Sequence, residues 1–345
     1  MTYGGTVNGD RLQQALAELA QGRGPGVFAL VTQDGEPVFS GCVGTADLAR
    51  PRPIRAEDRF RVASVTKPYV AAVVLLLESE GVLRLDDVVE RWLPGLVPDA
   101  TAITVEHLLR MRSGLPDYVR TVLGDPLEPA RLQRYFPPEE LVGIALAEPD
   151  RWKPAAGWRY CNTDYVLLGL IVERATGRAL RDLLQERVCE PLGLTATYLP
   201  DRELELRPPH VRGYLRRDAE SGFEDVTEYT ASEAWASGAL VSTAAEVARF
   251  LDALLGGRLL PPEQLARMRD ATRAAPDLDY GLGLMRYALD DGTVLHGHLG
   301  THYGVLSYAF GDDRGRTVVI HQNCWDEVAG GVPRHSAFLE AAFAR

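Results

Sequence analysis

Strand-like segments stand at both ends of this chain and helical ones fill its middle, and that ordering limits the folds open to it. Val27 to Thr32 and Pro37 to Val43 flank Gln33-Asp34-Gly35-Glu36, with Asp34-Gly35 at a hairpin turn. Toward the other end, Tyr280 to Tyr287, Thr293 to His298, Gly304 to Phe310 and Arg316 to Asn323 read as strands. Asp290-Asp291-Gly292 and Asp312-Asp313-Arg314-Gly315 punctuate them. Residues 10–21 place Leu12, Ala15, Leu16 and Leu19 on one helical face, and a last helix is expected over about 333–344. The middle predicts helices over Val65 to Glu80, Thr104 to Arg112 and Asp164 to Thr176, each followed closely by a glycine. After Ser242, a capping box Thr243-x-x-Glu246 leads into the apolar face Val247, Phe250, Leu251, Leu254 and Leu255. The expected class is therefore α+β: strands from both ends join one antiparallel sheet, helices pack on it, and a helical insert interrupts it. In subdomains, 1–63 and 235–345 form the sheet part and 64–234 the mainly helical part of a single unit, 1–345.

The 345 residues are 46% apolar and 25% charged, as in globular proteins, so a packed core is available. Net charge is −11 and no basic run exists, which excludes a nucleic-acid partner and disfavours an anionic membrane. The longest apolar run, Tyr69 to Leu77, is far short of a bilayer span. The first residues carry neither a basic start nor an apolar stretch, so a cytoplasmic location is expected. Cys42, Cys161, Cys189 and Cys324 are scattered, which favours four buried thiols over a zinc site or disulfide framework. No cofactor and no metal is expected.

Only two of the 37 basic residues are lysines, Lys67 and Lys153. Lys67 closes Ser64-Val65-Thr66-Lys67, at the start of the most apolar helical segment. Residues i and i+3 share a helical face, so hydroxyl and amine can meet. A serine needs a base to become a nucleophile. A buried lysine can serve as one by losing its proton, whereas arginine cannot. A helix start also offers free N–H groups to an oxyanion. Tyr160-Cys161-Asn162 precedes the helix at 164–176. Its phenol, with a pKa lowered beside an ammonium, can pass protons, and its carboxamide can bind a carbonyl and the lysine together. Read alone, the pair is better taken as a core-edge tyrosine and a helix cap. In Gly297-His298-Leu299-Gly300-Thr301-His302-Tyr303-Gly304, the glycines let backbone approach a ligand, and a strand edge can bind an extended substrate. His298 can assist proton transfer or serve as a structural hydrogen-bonder. His296, His298 and His302 hint at a metal, but no carboxylate follows at ligand spacing.

In order, S-x-x-K, Y-x-N and H-x-G resemble the three motifs of the serine penicillin-recognising enzymes, the β-lactamase-like superfamily. Within it the chain is most similar to serine D-alanyl-D-alanine carboxypeptidases, class C β-lactamases and related esterases. Arg59 to Lys67, Ile103-Thr104-Val105-Glu106-His107-Leu108-Leu109 with Ser113-Gly114-Leu115, Tyr160 to Tyr165 and Trp235 to Thr243 extend the resemblance over nearly the whole chain. It implies a five-stranded antiparallel sheet flanked by helices, plus a helical domain. It implies Ser64 as nucleophile, Lys67 as base and Tyr160 as proton relay to the leaving group. Asn162 would orient the acyl group, and His298 would line the opposite wall. The backbone N–H groups of Ser64 and Thr301 would form the oxyanion hole, with Leu299, Gly300, Thr301 and Trp235 beside the substrate. The chain departs from the carboxypeptidases at Leu299, where they carry a hydroxyl, and at Met285, where they carry a carboxylate-binding arginine. Arg286 is adjacent but on the opposite strand face. A wall carboxypeptidase is therefore not expected.

The main expectation is a serine hydrolase that cleaves an ester or amide of a small molecule or peptide. The alternative is an acyltransferase, a transacylase or cyclase, that passes the acyl group to an amine or alcohol. A third is an inactive relative that only binds.

Overall fold

Asp34 and Gly35 both take positive φ, 54° and 84°, as a two-residue hairpin turn requires. The strands Gly26–Gln33 and Glu36–Gly44 accordingly pair antiparallel across that turn. The computed structural model describes residues 8–21, 24–124, 128–218, 220–326 and 336–344; the start of the helix expected over 333–344 lies outside them, and Ser336–Phe343 is helical. Glu36–Gly44, Gly26–Gln33, Arg316–Gln322, Val305–Gly311 and Val294–His302 stand side by side in that order, all antiparallel. The chain's two ends thus share one sheet, and the class is α+β.

The expected count of five strands is too low, because three short strands, Met285–Ala288, Leu278–Tyr280 and Thr272–Ala275, extend the sheet to eight. The segment read as one strand from Tyr280 to Tyr287 is broken by a turn, in which Gly281 N–H donates to Leu284 O at 2.8 Å. Gly283 makes the turn possible. Its φ is +82°, and a Cβ there would fall 2.6 Å from the Cβ of Ala71.

Both faces of the sheet are covered. Gly41, the partner of Ala29, lies beneath Leu16 of the helix Gly9–Ala20. Thr32, on the other face, donates to Asp252 of the helix Ala244–Leu255 at 3.2 Å. Thr243 caps that helix as expected, accepting from Glu246 N–H. The Glu246 carboxylate does not complete the box; it accepts instead from Ala196 N–H and Thr197 Oγ1 and ties down a neighbouring loop.

The helices Thr66–Ser79 and Asn162–Thr176 are buried on nearly all sides and pack on one another. The middle is not helical throughout. Tyr214–Arg216, Glu224–Asp225 and Cys324–Asp326 form a small sheet of strands too short to show alternation. Arg59–Arg61 pairs with Val241–Thr243, and Ser307 Oγ donates to Val62 O at 2.7 Å. The first tie is a separate two-stranded sheet, and the second seats the segment before Ser64 against the main sheet. Among the described residues, no helix is long and apolar enough to cross a membrane.

Candidate active site

Ser64 sits in the 3₁₀ turn Ala63–Val65, immediately before the buried helix Thr66–Ser79. Ala63 takes φ +50°, a conformation an L-residue enters only under constraint from its surroundings. Lys67, one helical turn on, is fully buried. Its Nζ lies 2.9 Å from Ser64 Oγ, 2.8 Å from Asn162 Oδ1 and 2.6 Å from Ser237 O. The last two atoms only accept, so they take two Nζ hydrogens. The third direction points at the serine, where the lone pair of a neutral amine would meet the hydroxyl proton. Burial pushes Lys67 down to about 7, against the opposing pull of the Asp117 carboxylate.

Asn162 opens the helix Asn162–Thr176, and its carboxamide is fixed at both ends. Oδ1 faces Lys67, and Nδ2 donates to Asp117 Oδ2 at 2.9 Å, which also accepts the Asn162 backbone N–H at 3.2 Å. One Nδ2 hydrogen stays free for an acyl carbonyl. Tyr160 shares a hydrogen bond with Ser64, but burial outweighs it and raises the phenol's pKa. The expected lowering beside an ammonium does not occur, because that amine is itself brought down toward neutrality. Tyr160 is therefore held as an O–H group, not as a standing phenolate.

The strand Val294–His302 pairs with Met285–Ala288 only as far as Gly297. Beyond it that edge runs on alone, and Leu299, Thr301 and His302 line a cavity of about 420 Å³ shared with Ser64, Tyr160 and Asn162. Gly300 lies against the turn that carries Ser64: a Cβ there would fall 2.5 Å from Val62 O and 2.8 Å from Ser64 N. Only glycine lets this strand lie so close.

Two expected site residues lie elsewhere. His298 does not line the cavity wall. It is fully buried behind Tyr160, with ring centroids 6.1 Å apart. Its Nε2 meets Tyr280 Oη at 3.2 Å and its Nδ1 meets Leu299 O. Burial, then the Lys67 charge, lowers it to about 3, so it is a neutral spacer rather than an acid. Trp235 also stands outside the cavity lining. Its indole packs on the helix Asn162–Thr176, where a Cβ on Gly169 would fall 2.7 Å from the ring. By contrast, Met285 lines the cavity, and Arg286 turns away to pair with Asp279 at 2.8 Å.

Three groups escape sequence reading. Asp117 follows Ser113-Gly114-Leu115 but carries no spacing signal toward Asn162. Ser237 acts through its carbonyl, which no side-chain pattern reports. Glu233 lines the cavity although it is only 2% exposed. Among the described residues no group of three His, Cys, Asp or Glu is arranged to hold a metal.

A serine, a lysine a turn later, a phenol and a carboxamide gathered under the free edge of an antiparallel sheet define a class, that of the active-site-serine acyl-transferring folds. Residues 11–342 match the family described as Beta-lactamase, and the chain belongs to it. Among solved structures it is similar to a D-stereospecific amidohydrolase from Streptomyces sp. (32% identity, TM-score 0.88, 98% of this chain and 99% of that one). It is also similar to the D-amino acid amidase of Ochrobactrum anthropi SV3 in complex with D-phenylalanine (29%, TM-score 0.86, 96% and 98%). Esterase EstB of Burkholderia gladioli is 29% identical, with 93% of this chain and 91% of the esterase aligned. Against several other curated relatives the match spans only about two fifths of their length.

Proposed function

We propose that this chain is a serine hydrolase that cleaves a small ester or amide through an acyl-enzyme on Ser64. The observation that carries the reading is the buried Lys67 amine, 2.9 Å from Ser64 Oγ and tied by Asn162 Oδ1 and Ser237 O. In the reading, Lys67 Nζ takes the hydroxyl proton as Oγ bonds to the carbonyl carbon, and the carbonyl electron pair moves onto oxygen. The backbone N–H groups of Ser64 and Thr301 hold that oxyanion. In sites of this kind one such donor is worth about 3–4 kcal/mol to the transition state. As the oxyanion's electron pair re-forms the carbonyl and the bond to the leaving nitrogen or oxygen breaks, Tyr160 hands that atom its proton and takes in exchange the one held by Lys67, so both return to their starting forms. Water then attacks the ester carbonyl and returns Ser64 to its hydroxyl form.

The esterase, amidase and amidohydrolase likenesses support hydrolysis, and amides of D-amino acids are the first substrates they point to. They give the acyltransferase alternative no support. Ser64, Tyr160 and Asn162 on one cavity, with Lys67 buried against Ser64, argue against a relative that only binds. Among the described residues no lysine or arginine lines the cavity, which speaks against a carboxylate-terminated wall peptide as substrate. A cytoplasmic location belongs to the proposal. Of the four thiols expected to be buried, Cys161, Cys189 and Cys324 are, whereas Cys42 is only partly buried because it stands on the sheet's outermost strand. Steady-state hydrolysis of p-nitrophenyl acetate and of D-phenylalanine amide tests the reading. Wild type turns over at least one of them and Ser64→Ala neither; a Ser64→Ala variant as fast as wild type overturns it.

A further inference from the structure

Glu233 is a buried carboxylate that faces the cavity holding Ser64. Its Oε1 lies 2.6 Å from His302 Nε2, off the line of a good hydrogen bond, and Oε2 meets no donor. An anion buried this far is costly unless something pairs with it. Among the described residues His302 is the one basic residue on the cavity lining. Its Nδ1 accepts the Tyr303 backbone N–H at 2.9 Å and meets Tyr229 Oη at 2.7 Å. That leaves the ring proton on Nε2, toward Glu233. The pair is held from behind: the Arg61 guanidinium stacks 4.1 Å over the Tyr229 ring and donates to Tyr229 O at 2.7 Å. From the other side, Tyr118 Oη donates to the Glu233 carbonyl at 2.6 Å and meets Ser237 Oγ at 3.2 Å. Ser237 is the residue whose carbonyl binds Lys67. Glu233 is thus fixed relative to the nucleophile's machinery, with one carboxylate oxygen unanswered.

We propose that Glu233 is the specificity-determining anchor for an ammonium group on the acyl part of the substrate, so that the enzyme selects acyl donors with a free amine. The inference rests on the hydrolase reading above. An ammonium brings three donors to an acceptor-only group, and pairing with it satisfies Oε2 at no further desolvation of the carboxylate. The rest of the wall is largely apolar, from Val119, Leu123, Met285, Leu299 and Trp325. It suits a hydrophobic side chain on the same acyl unit. The cavity's polarity is also opposite to that of a site built for a substrate carboxylate.

The test compares two p-nitrophenyl esters that differ only in the amine, D-phenylalanine p-nitrophenyl ester and p-nitrophenyl 3-phenylpropanoate. Wild type is expected to prefer the amine-bearing ester in kcat/KM by about 10- to 100-fold, the range for a hydrogen bond to a buried charge. In Glu233→Gln that ratio falls toward one, chiefly through KM for the amine-bearing ester. For wild type alone, 2-phenylethylamine inhibits competitively at concentrations where 3-phenylpropan-1-ol does not, so the assignment is tested even if the variant fails to fold. Equal use of both esters by wild type, or a ratio unchanged in Glu233→Gln, overturns the anchor and leaves the hydrolase standing. Turnover of neither ester, with no acylation of Ser64, removes the hydrolase reading itself.

Discussion

At the scale of single residues, the proposed reaction depends on an amine that is neutral at working pH. Lys67 has its pKa brought down to about 7 by burial, while Asp117 pulls it up. In the proposed reaction the neutral amine is the base, so kcat/KM is expected to rise with pH along a limb centred near 7. Replacing Asp117 by Asn removes the group that favours the ammonium, so the limb moves to lower pH. The same change loosens the hold on Asn162, which lowers kcat by about 10-fold. A pH–rate series on both proteins checks this, and a limb unmoved in Asp117→Asn would break the link between the two groups. Ser64, Lys67, Tyr160 and Asn162 are legible in the sequence, because each motif lies within one turn of chain. Asp117 and Glu233 are not, since each reaches the site by a contact that only the folded chain creates. His298 misleads for the same reason: its letter fits a proton donor, but its depth in the core makes it neutral.

At the scale of elements, the site is the meeting of a buried helix start with a sheet edge. The meeting depends on Gly300, whose missing side chain leaves room for Val62 O and Ser64 N. Gly300→Ala is expected to push the strand away from the nucleophile's turn and misplace the Thr301 N–H. We expect kcat to fall about 100-fold or more, while overpacking costs about 1–3 kcal/mol of stability. Kinetics beside a melting curve separate the two, and activity within twofold of wild type would contradict the placement of this strand. The long strands were legible from alternation and from Asp-Gly turns. The short ones were not, because Thr272–Ala275 has no apolar period and the break at Gly281 to Gly283 looks like continuous strand.

At the scale of the whole molecule, the core holds a carboxyl that it keeps protonated. Asp164 is fully buried, accepts from Ser113 Oγ at 2.5 Å, and is raised by burial to about 8. The folded chain therefore holds a proton that the unfolded chain releases near pH 4. Stability from this group is full below that pH and is lost as pH climbs toward 8. Asp164→Asn keeps an acceptor for Ser113 without the ionisation. Its melting temperature should gain on wild type by several degrees between pH 5 and pH 8; a constant difference across that range would show that Asp164 ionises as readily folded as unfolded. The plan of the molecule, with both ends in one sheet and a helical middle, follows from where strand and helix periods fall. The small sheet that ties Cys324–Asp326 to the middle has no such signature.

The central claim is that Ser64 becomes esterified during turnover. Mixing the protein with a p-nitrophenyl ester, quenching in acid within milliseconds and weighing the intact chain tests it most directly. Wild type should carry one acyl group, mapped to the peptide containing Ser64, and Ser64→Ala should carry none. An unmodified wild type that nevertheless releases p-nitrophenol, or the same adduct on Ser64→Ala, would contradict it.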